Sequence, residues 1–462
     1  MLSMMRKLNR ARWVTVGAAL SIAPLFGGCD INEELLSPQN PGIIDPAAVN
    51  SAPAAQALRV AALGQLKNRT AGGESVWLFG GLLADEWKSS DTFSQRNETD
   101  QRTIQTSNGN TQGAYNSLQQ ARGYTKTAID KSYQFTPDAK ADIGEMYFTL
   151  GFLEMSLAEN FCNGIPVSYT TDGVVNYGPP LTNDSIYKLA AFHFDSALTL
   201  AGTATDAKSV LVHQAASIGK ARALMNIGQF AAAGALVSAA NVPTTFAYTM
   251  TFDQTTGDQQ LWSLNNSAGR YTVSDSVDNL TGRIPNALPF VSGKDPRVPT
   301  ASPTNPKPFD GVTPLRTQQV FPGRSDPIPL VSGIDARLFE AEAKLNAGDF
   351  AGMFAILNTL RTSGQKIGPL TVAAMPALTT APTTKAAAVD LLFREAGFWQ
   401  FGRGQRLPNL RREIRLYGKT QDQIFPTGAF HKTGNFGVDV NIPVPDGELA
   451  NPNFHGCIDR KA

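Results

Sequence analysis

Histidine and cysteine are scarce in this chain, with 4 His and 3 Cys among 462 residues. The histidines, His193, His213, His431 and His455, show no HExxH-type spacing, so no zinc site is expected. No GxSxG element and no Walker sequence occurs. Asp85 and Glu86 come nearest to a carboxylate pair, yet sequence neighbours are a poor start for the two opposed carboxylates of a glycosidase. Their simpler reading is as helix-end or loop charges. The chain is therefore not expected to be an enzyme, and no cofactor is implied. An excess of one charge is missing too. Lys and Arg number 40 against 39 Asp and Glu, a net charge of +1, which leaves no surface fit to neutralise many phosphates. Nucleic acid is excluded as an expected partner. Beyond residue 29 no run approaches about 18 uninterrupted apolar residues, so the body is not expected to cross a bilayer.

What is present is a body with 42% hydrophobic and 17% charged residues, as expected of a folded globule, with 41 Gly and 29 Pro marking long loops. Residues 1–28 differ from the rest. Arg6, Lys7, Arg10 and Arg12 precede the apolar stretch Trp13 to Phe26, and Gly27-Gly28-Cys29 ends it like a lipoprotein signal cleaved before a lipidated Cys29. Phe26 departs from the usual Leu three positions before the cysteine. An ordinary secretory signal is the alternative. Residues 29–52 then read as a polar, Pro-broken tether, where Asp30, Glu33 and Glu34 fit a surface-export signal as well as they fit an unremarkable exposed terminus. In an exported chain two remaining thiols are expected to pair, which gives a Cys162 to Cys457 disulfide.

Helical periodicity dominates residues 53–241 and 332–462. Pro53 to Arg69, Tyr115 to Phe135, Ala139 to Phe161 and Ile186 to Leu200 each carry one apolar face, with Asn183 or Asp184 as N-cap of the last. Asp335 to Arg361 reads as two short helices hinged at Gly348, and Ala386 to Tyr417 as the last helical region. ARALMNIGQFAAAGAL, Ala221 to Leu236, aligns without gaps on AEAKLNAGDFAGMFAI, Ala341 to Ile356. Small residues, a turn glycine and a following Phe at matched positions are what a tetratricopeptide helix pair requires, and such a pair needs stacked neighbours to bury both faces. The expected fold is mainly α, a superhelix of such pairs with long irregular loops and a few short strands. Residues 242–331 lose the helical period and form a loop-rich insertion, kept ordered by Trp262, Tyr271 and Phe290.

For function, these loops offer aromatic rings beside planar polar side chains, the combination that recognises sugar rings and their hydroxyls. The run from Asp85 to Asp100 supplies Trp87, Asp91, Phe93, Arg96 and Asn97; the insertion supplies Trp262, Asn265, Asn266, Arg270 and Tyr271. For each aromatic, the alternative is a core or loop anchor.

The lipobox, the repeat pairs, KDPRVP at Lys294 to Pro299, AEAKLNAGDF, FREAGFWQFGRGQRLPNLRR from Phe393 to Arg412 and IPVPDGELANPNF from Ile442 to Phe454 resemble, in this order, the SusD/RagB family. The resemblance spans nearly the whole mature chain. It implies one SusD-like unit over 29–462: an outer-membrane lipoprotein facing the cell exterior that binds an oligosaccharide or peptide. It also implies a partner, a TonB-dependent transporter of the SusC type, which the protein covers as a lid. Asn409 stands where the family usually has Asp, which marks a divergent branch. Glu395, Arg403, Arg406 and Arg411 are read as structural ties between helix and loop. Ligand residues vary within the family, so none carries over. The alternative function is an extracytoplasmic tetratricopeptide-type adaptor that binds another polypeptide.

Overall fold

The computed structural model describes residues 49–171, 174–203, 205–279 and 281–462. The leader, Cys29 and the acidic residues after it lie outside the described residues. Thirteen α-helices carry the described fold. In chain order they are α1 (Ala52–Asn68), α2 (Val76–Leu83), α3 (Ser94–Gln101), α4 (Gly109–Phe135), α5 (Lys140–Asn160), α6 (Asn183–Ala201), α7 (Ala207–Asn226), α8 (Phe230–Leu236), α9 (Gly333–Asn346), α10 (Phe350–Thr362), α11 (Lys385–Trp399), α12 (Arg406–Tyr417) and α13 (Gln421–Ile424). Among the described residues the strands are short and pair as two-stranded antiparallel ribbons. Among the described residues no helix is long and apolar enough to cross a membrane.

Helix α5 is the axis of the first half. From Ile143 to Asn160 every residue except Tyr147 is buried, and the carboxylates among them, Glu145, Glu154 and Glu159, are each paired with a basic side chain. It packs against α4, α6 and α7. Close approach depends on glycine: a Cβ at Gly151 would lie 3.0 Å from the Ala190 carbonyl oxygen, and one at Gly219 would lie 2.5 Å from the Phe194 ring. Helix α6 is capped by the Thr182 hydroxyl, which accepts from Ser185 N at 3.3 Å, so the cap falls one residue before the expected Asn183 or Asp184.

The aligned segments fold alike. Gly228 and Gly348 both take positive φ, 75° and 79°, and turn α7 into α8 and α9 into α10. The two units stack directly, since a Cβ at Gly234 would come within 2.5 Å of the Ala343 Cβ. Helix α9 starts at a capping box in which Ser332 and Asp335 satisfy each other's backbone N–H groups. The region expected as the last long helix is broken: residues 400–405 form a turn with Gly402 and Gly404 at positive φ, which separates α11 from α12.

Buried ion pairs lock these helices together. Arg403 binds Asp335 through both terminal nitrogens (2.9 and 2.7 Å), Arg412 binds Glu342 (2.8 and 2.9 Å), and Arg222 binds Glu159 (2.6 and 2.8 Å). Arg297 of the KDPRVP segment reaches Glu395 of α11 at 2.6 Å, where Arg361 joins it. Arg411 donates to the Ala158 carbonyl at 2.9 Å. Glu395, Arg403, Arg406 and Arg411 are all buried. The Cys162–Cys457 disulfide is present, with Cα atoms 6.0 Å apart, and ties the C-terminal tail to the end of α5.

Candidate functional site

The two runs expected to carry ligand contacts meet in one ribbon. Trp87–Ser89 pairs antiparallel with Tyr271–Val273, Trp87 opposite Val273 and Ser89 opposite Tyr271. This ribbon is interior, and so are several of the expected residues. Trp87 is 0% exposed, its ring 5.0 Å from Phe401, and Tyr271 is 0% exposed with its hydroxyl donating to Glu74 at 2.7 Å. Neither ring is available to a sugar. Asn265 is buried, its amide donating to the carbonyls of Tyr271 (2.8 Å) and Arg316 (3.0 Å) while its oxygen accepts from Gln318 N at 2.8 Å. Asn266 has both ends of its amide engaged by Gln318. These residues anchor the insertion. Trp262 is half-buried in a π-helical turn, Trp262–Ser267.

The stretch expected as a loop through Asp100 is also mostly ordered, because α3 begins at Ser94. Only residues 90–93 are loop, and they place Phe93 at the surface, 50% exposed. Asp91 beneath it is fully buried. One of its oxygens accepts from Phe93 N at 2.9 Å; the other accepts from Arg270 at 2.7 Å and from Arg96 at 3.1 Å. Arg96 is bidentate on Glu74 as well, so it is a support and not a free cation. Asn97 is half-buried and takes the Ser89 hydroxyl at 2.7 Å.

Arg270 is the pivot of this surface. Its guanidinium carbon lies 3.6 Å from the centre of the Phe309 ring and 5.2 Å from that of Phe93, and the rings are 6.2 Å apart. Phe309 is 43% exposed and its neighbour Val312 is 78% exposed. The loop carrying them is fixed by backbone bonds from Phe309 N to the Gly269 carbonyl (2.8 Å) and from Asp310 N to the Ser90 carbonyl (2.9 Å). Asp310 accepts from Val312 N, Thr313 N and Lys432. Burial pushes its carboxyl up, but the bonds from Thr313, Lys432 and Val312 outweigh that and hold it down to about 2. The result is an open platform of two aromatic rings flanking a charged guanidinium, with an ionised carboxylate and a lysine alongside.

Neither a family model nor a curated protein sequence matches the chain. Solved structures do. A SusD superfamily protein from Bacteroides vulgatus superposes with a TM-score of 0.58 at 16% identity, covering 89% of this chain and 99% of that one. A SusD-like protein from Bacteroides fragilis gives 0.65 at 12% identity, covering 90% and 98%. Surface glycan-binding protein A from Bacteroides uniformis gives 0.64 at 14% identity, covering 87% and 98%. The chain has the SusD-like fold.

In this SusD-like chain the ribbon beneath the platform is lined by buried ionisable groups. Asp85, held at a φ of 59° that a non-glycine residue rarely adopts, bonds to Ser274, and burial raises its carboxyl to about 7. Burial likewise raises Glu86 to about 8 and Asp100 to about 8, and lowers His431 to about 4, with Lys88 adding to the last effect. Lys88 pairs with Asp278, and His431 contacts the Ser89 carbonyl at 2.9 Å. Among the described residues no group of three or more His, Cys, Asp or Glu is placed to hold a metal ion.

Sequence reasoning missed Phe309, Asp310 and Lys432. The signal was an aromatic directly before Asp-Gly, an Asx-turn sequence that projects the preceding ring. A second exposed aromatic group, also unforeseen, lies on the helices: Tyr133 near Tyr147, which stacks on His193 at 6.0 Å, with Glu154 bound to His193 at 2.7 Å.

Proposed function

We propose that this chain is a glycan-binding protein of the cell surface, anchored through a lipid on Cys29, which captures an oligosaccharide and passes it to a TonB-dependent transporter of the SusC type. The observation that carries this reading is the Phe93–Arg270–Phe309 platform on a SusD-like fold. Pyranose rings stack their apolar faces on exposed aromatics, and a guanidinium fixed between two rings donates to hydroxyls or to an acidic substituent. Asp91 holds Arg270 in place, so the surface is pre-organised and little side-chain entropy is lost on binding. In this reading the protein acts by binding and by gating as a lid, without bond cleavage.

A glycan array followed by calorimetry on the best binder tests it. Phe309→Ala and Arg270→Ala should each weaken the interaction by about 1 kcal/mol or more, while Trp87→Phe leaves affinity unchanged. Binding that ignores Phe309 and Arg270 but is lost with Tyr133→Ala would move the site to the helical aromatic group. Co-purification with a large outer-membrane barrel after gentle detergent extraction tests the transporter; a stable periplasmic partner in its place would favour an adaptor.

A further inference from the structure

A second cavity is lined by residues none of which belongs to the platform, and its chemistry is different. It has a volume of about 740 Å³ and opens between the ribbon Ala247–Met250/Ile328–Ser332 and the hairpin Gln365–Ile367/Leu370–Val372. Its walls are apolar at Phe246, Pro329, Ile334 and Val372, and hydroxyl-bearing at Thr244, Thr249 and Thr371. The hairpin tip is braced, since a Cβ at Gly368 would meet the Pro327 carbonyl oxygen at 2.5 Å. The walls are therefore set before any ligand arrives.

Charge in this cavity has one sign. Two cations line it, Lys366 and Arg403, and no Asp or Glu side chain does. Lys366 is exposed and has no ion-pair partner among the described residues. Arg403 is 1% exposed; its terminal nitrogens are occupied by Asp335, while its Nε–H is buried without an acceptor. Asp335 thus neutralises Arg403 beneath the cavity wall, and the Lys366 ammonium is the one uncompensated charge among the lining side chains. Sugar sites use carboxylates or amides to take up the hydroxyl hydrogens, and here Gln365 is the only planar polar side chain apart from the guanidinium.

We propose that this cavity is a second ligand site, separate from the glycan platform, which takes a small organic monocarboxylate. The apolar body lies against Phe246, Ile334 and Val372, and the carboxylate accepts from the Lys366 ammonium. Charge-assisted hydrogen bonds of this kind select an acid over its uncharged isostere.

The test uses the full chain in lipid nanodiscs, titrated calorimetrically with phenylacetate and 3-phenylpropionate and with their neutral amides. The acids should bind saturably and about tenfold or more tighter than the amides. Lys366→Glu should weaken the acids by about tenfold or more, and Thr249→Trp, which fills the cavity from an exposed position, should abolish binding. Both variants should keep the wild-type melting transition. Equal affinity for acid and amide, no saturable binding of either acid, or binding retained in a folded Thr249→Trp protein would overturn the proposal.

Discussion

At the scale of single residues, a buried carboxylate organises an exposed surface. Asp91 sits between two guanidiniums, and replacing it with Asn leaves Arg96 and Arg270 without their shared counter-charge. Asp91→Asn should cost about 3 to 5 kcal/mol of stability, read as a fall in denaturant midpoint, and should weaken glycan binding as Arg270 loses its anchor. Part of this site was legible in the sequence. Phe93, Arg96, Arg270 and Asp91 meet in space, and an aromatic-rich run in each of two sequence segments points to them. Trp87 and Tyr271 take the alternative of core anchors, and Asn265 is buried with them, for a physical reason. Asp85 and Glu86 read in sequence as helix-end or loop charges, yet Asp85, Glu86 and Lys88 are buried, and their partners Ser274, Gly402 and Asp278 lie far away in sequence. Periodicity cannot reveal a polar group satisfied from a distance.

At the scale of elements, turn glycines separate two effects that sequence alone leaves combined. Gly348 has a φ of 79° with open space around a would-be Cβ, so Gly348→Ala should cost about 1 to 2 kcal/mol from backbone strain alone. Gly404 has a φ of 66°, and a Cβ there would lie 2.3 Å from the buried Trp77 ring. Gly404→Ala should therefore cost distinctly more, about 3 kcal/mol or above once overpacking adds to strain. Equal midpoint shifts for the two variants would contradict this account. The helix pairs were legible because Gly228 and Gly348 sit at matched places between apolar faces, whereas the turn at 400–405 was hidden inside a continuous helical pattern. The ribbon of Tyr271–Val273 with Trp87–Ser89 is not legible at its second strand, since three residues flanked by helices leave too short a pattern.

For the whole molecule, the buried layer under the platform sets the pH dependence of stability. Asp85, Glu86 and Asp100 hold their protons in the folded state up to about 7, 8 and 8, and Glu413 to about 7, all through burial first. An unfolded carboxyl releases its proton near pH 4. The folded state thus binds more protons from about pH 4 upward, and this contribution to stability falls across that range and is fully lost once pH has risen through about 7 to 8. His431, lowered to about 4, acts oppositely but only below about 6.5, where the unfolded imidazole begins to protonate. Above about pH 6.5 these carboxyls make the urea midpoint fall as pH rises to about 8 and level off beyond it, and Glu86→Gln, which keeps the bond from Gly402 N, should flatten that fall. The disulfide closes a sequence separation of 295 residues, and replacing both cysteines with Ala should cost about 3 to 5 kcal/mol in the chain-entropy account. The central claim is that Phe93 and Phe309 with Arg270 form a glycan platform, and its most direct measurement is a calorimetric titration of the best array-identified oligosaccharide into wild-type protein and a Phe93→Ala/Phe309→Ala double variant. Loss of measurable binding with an unchanged melting transition is the predicted result; wild-type affinity in the folded double variant would contradict it.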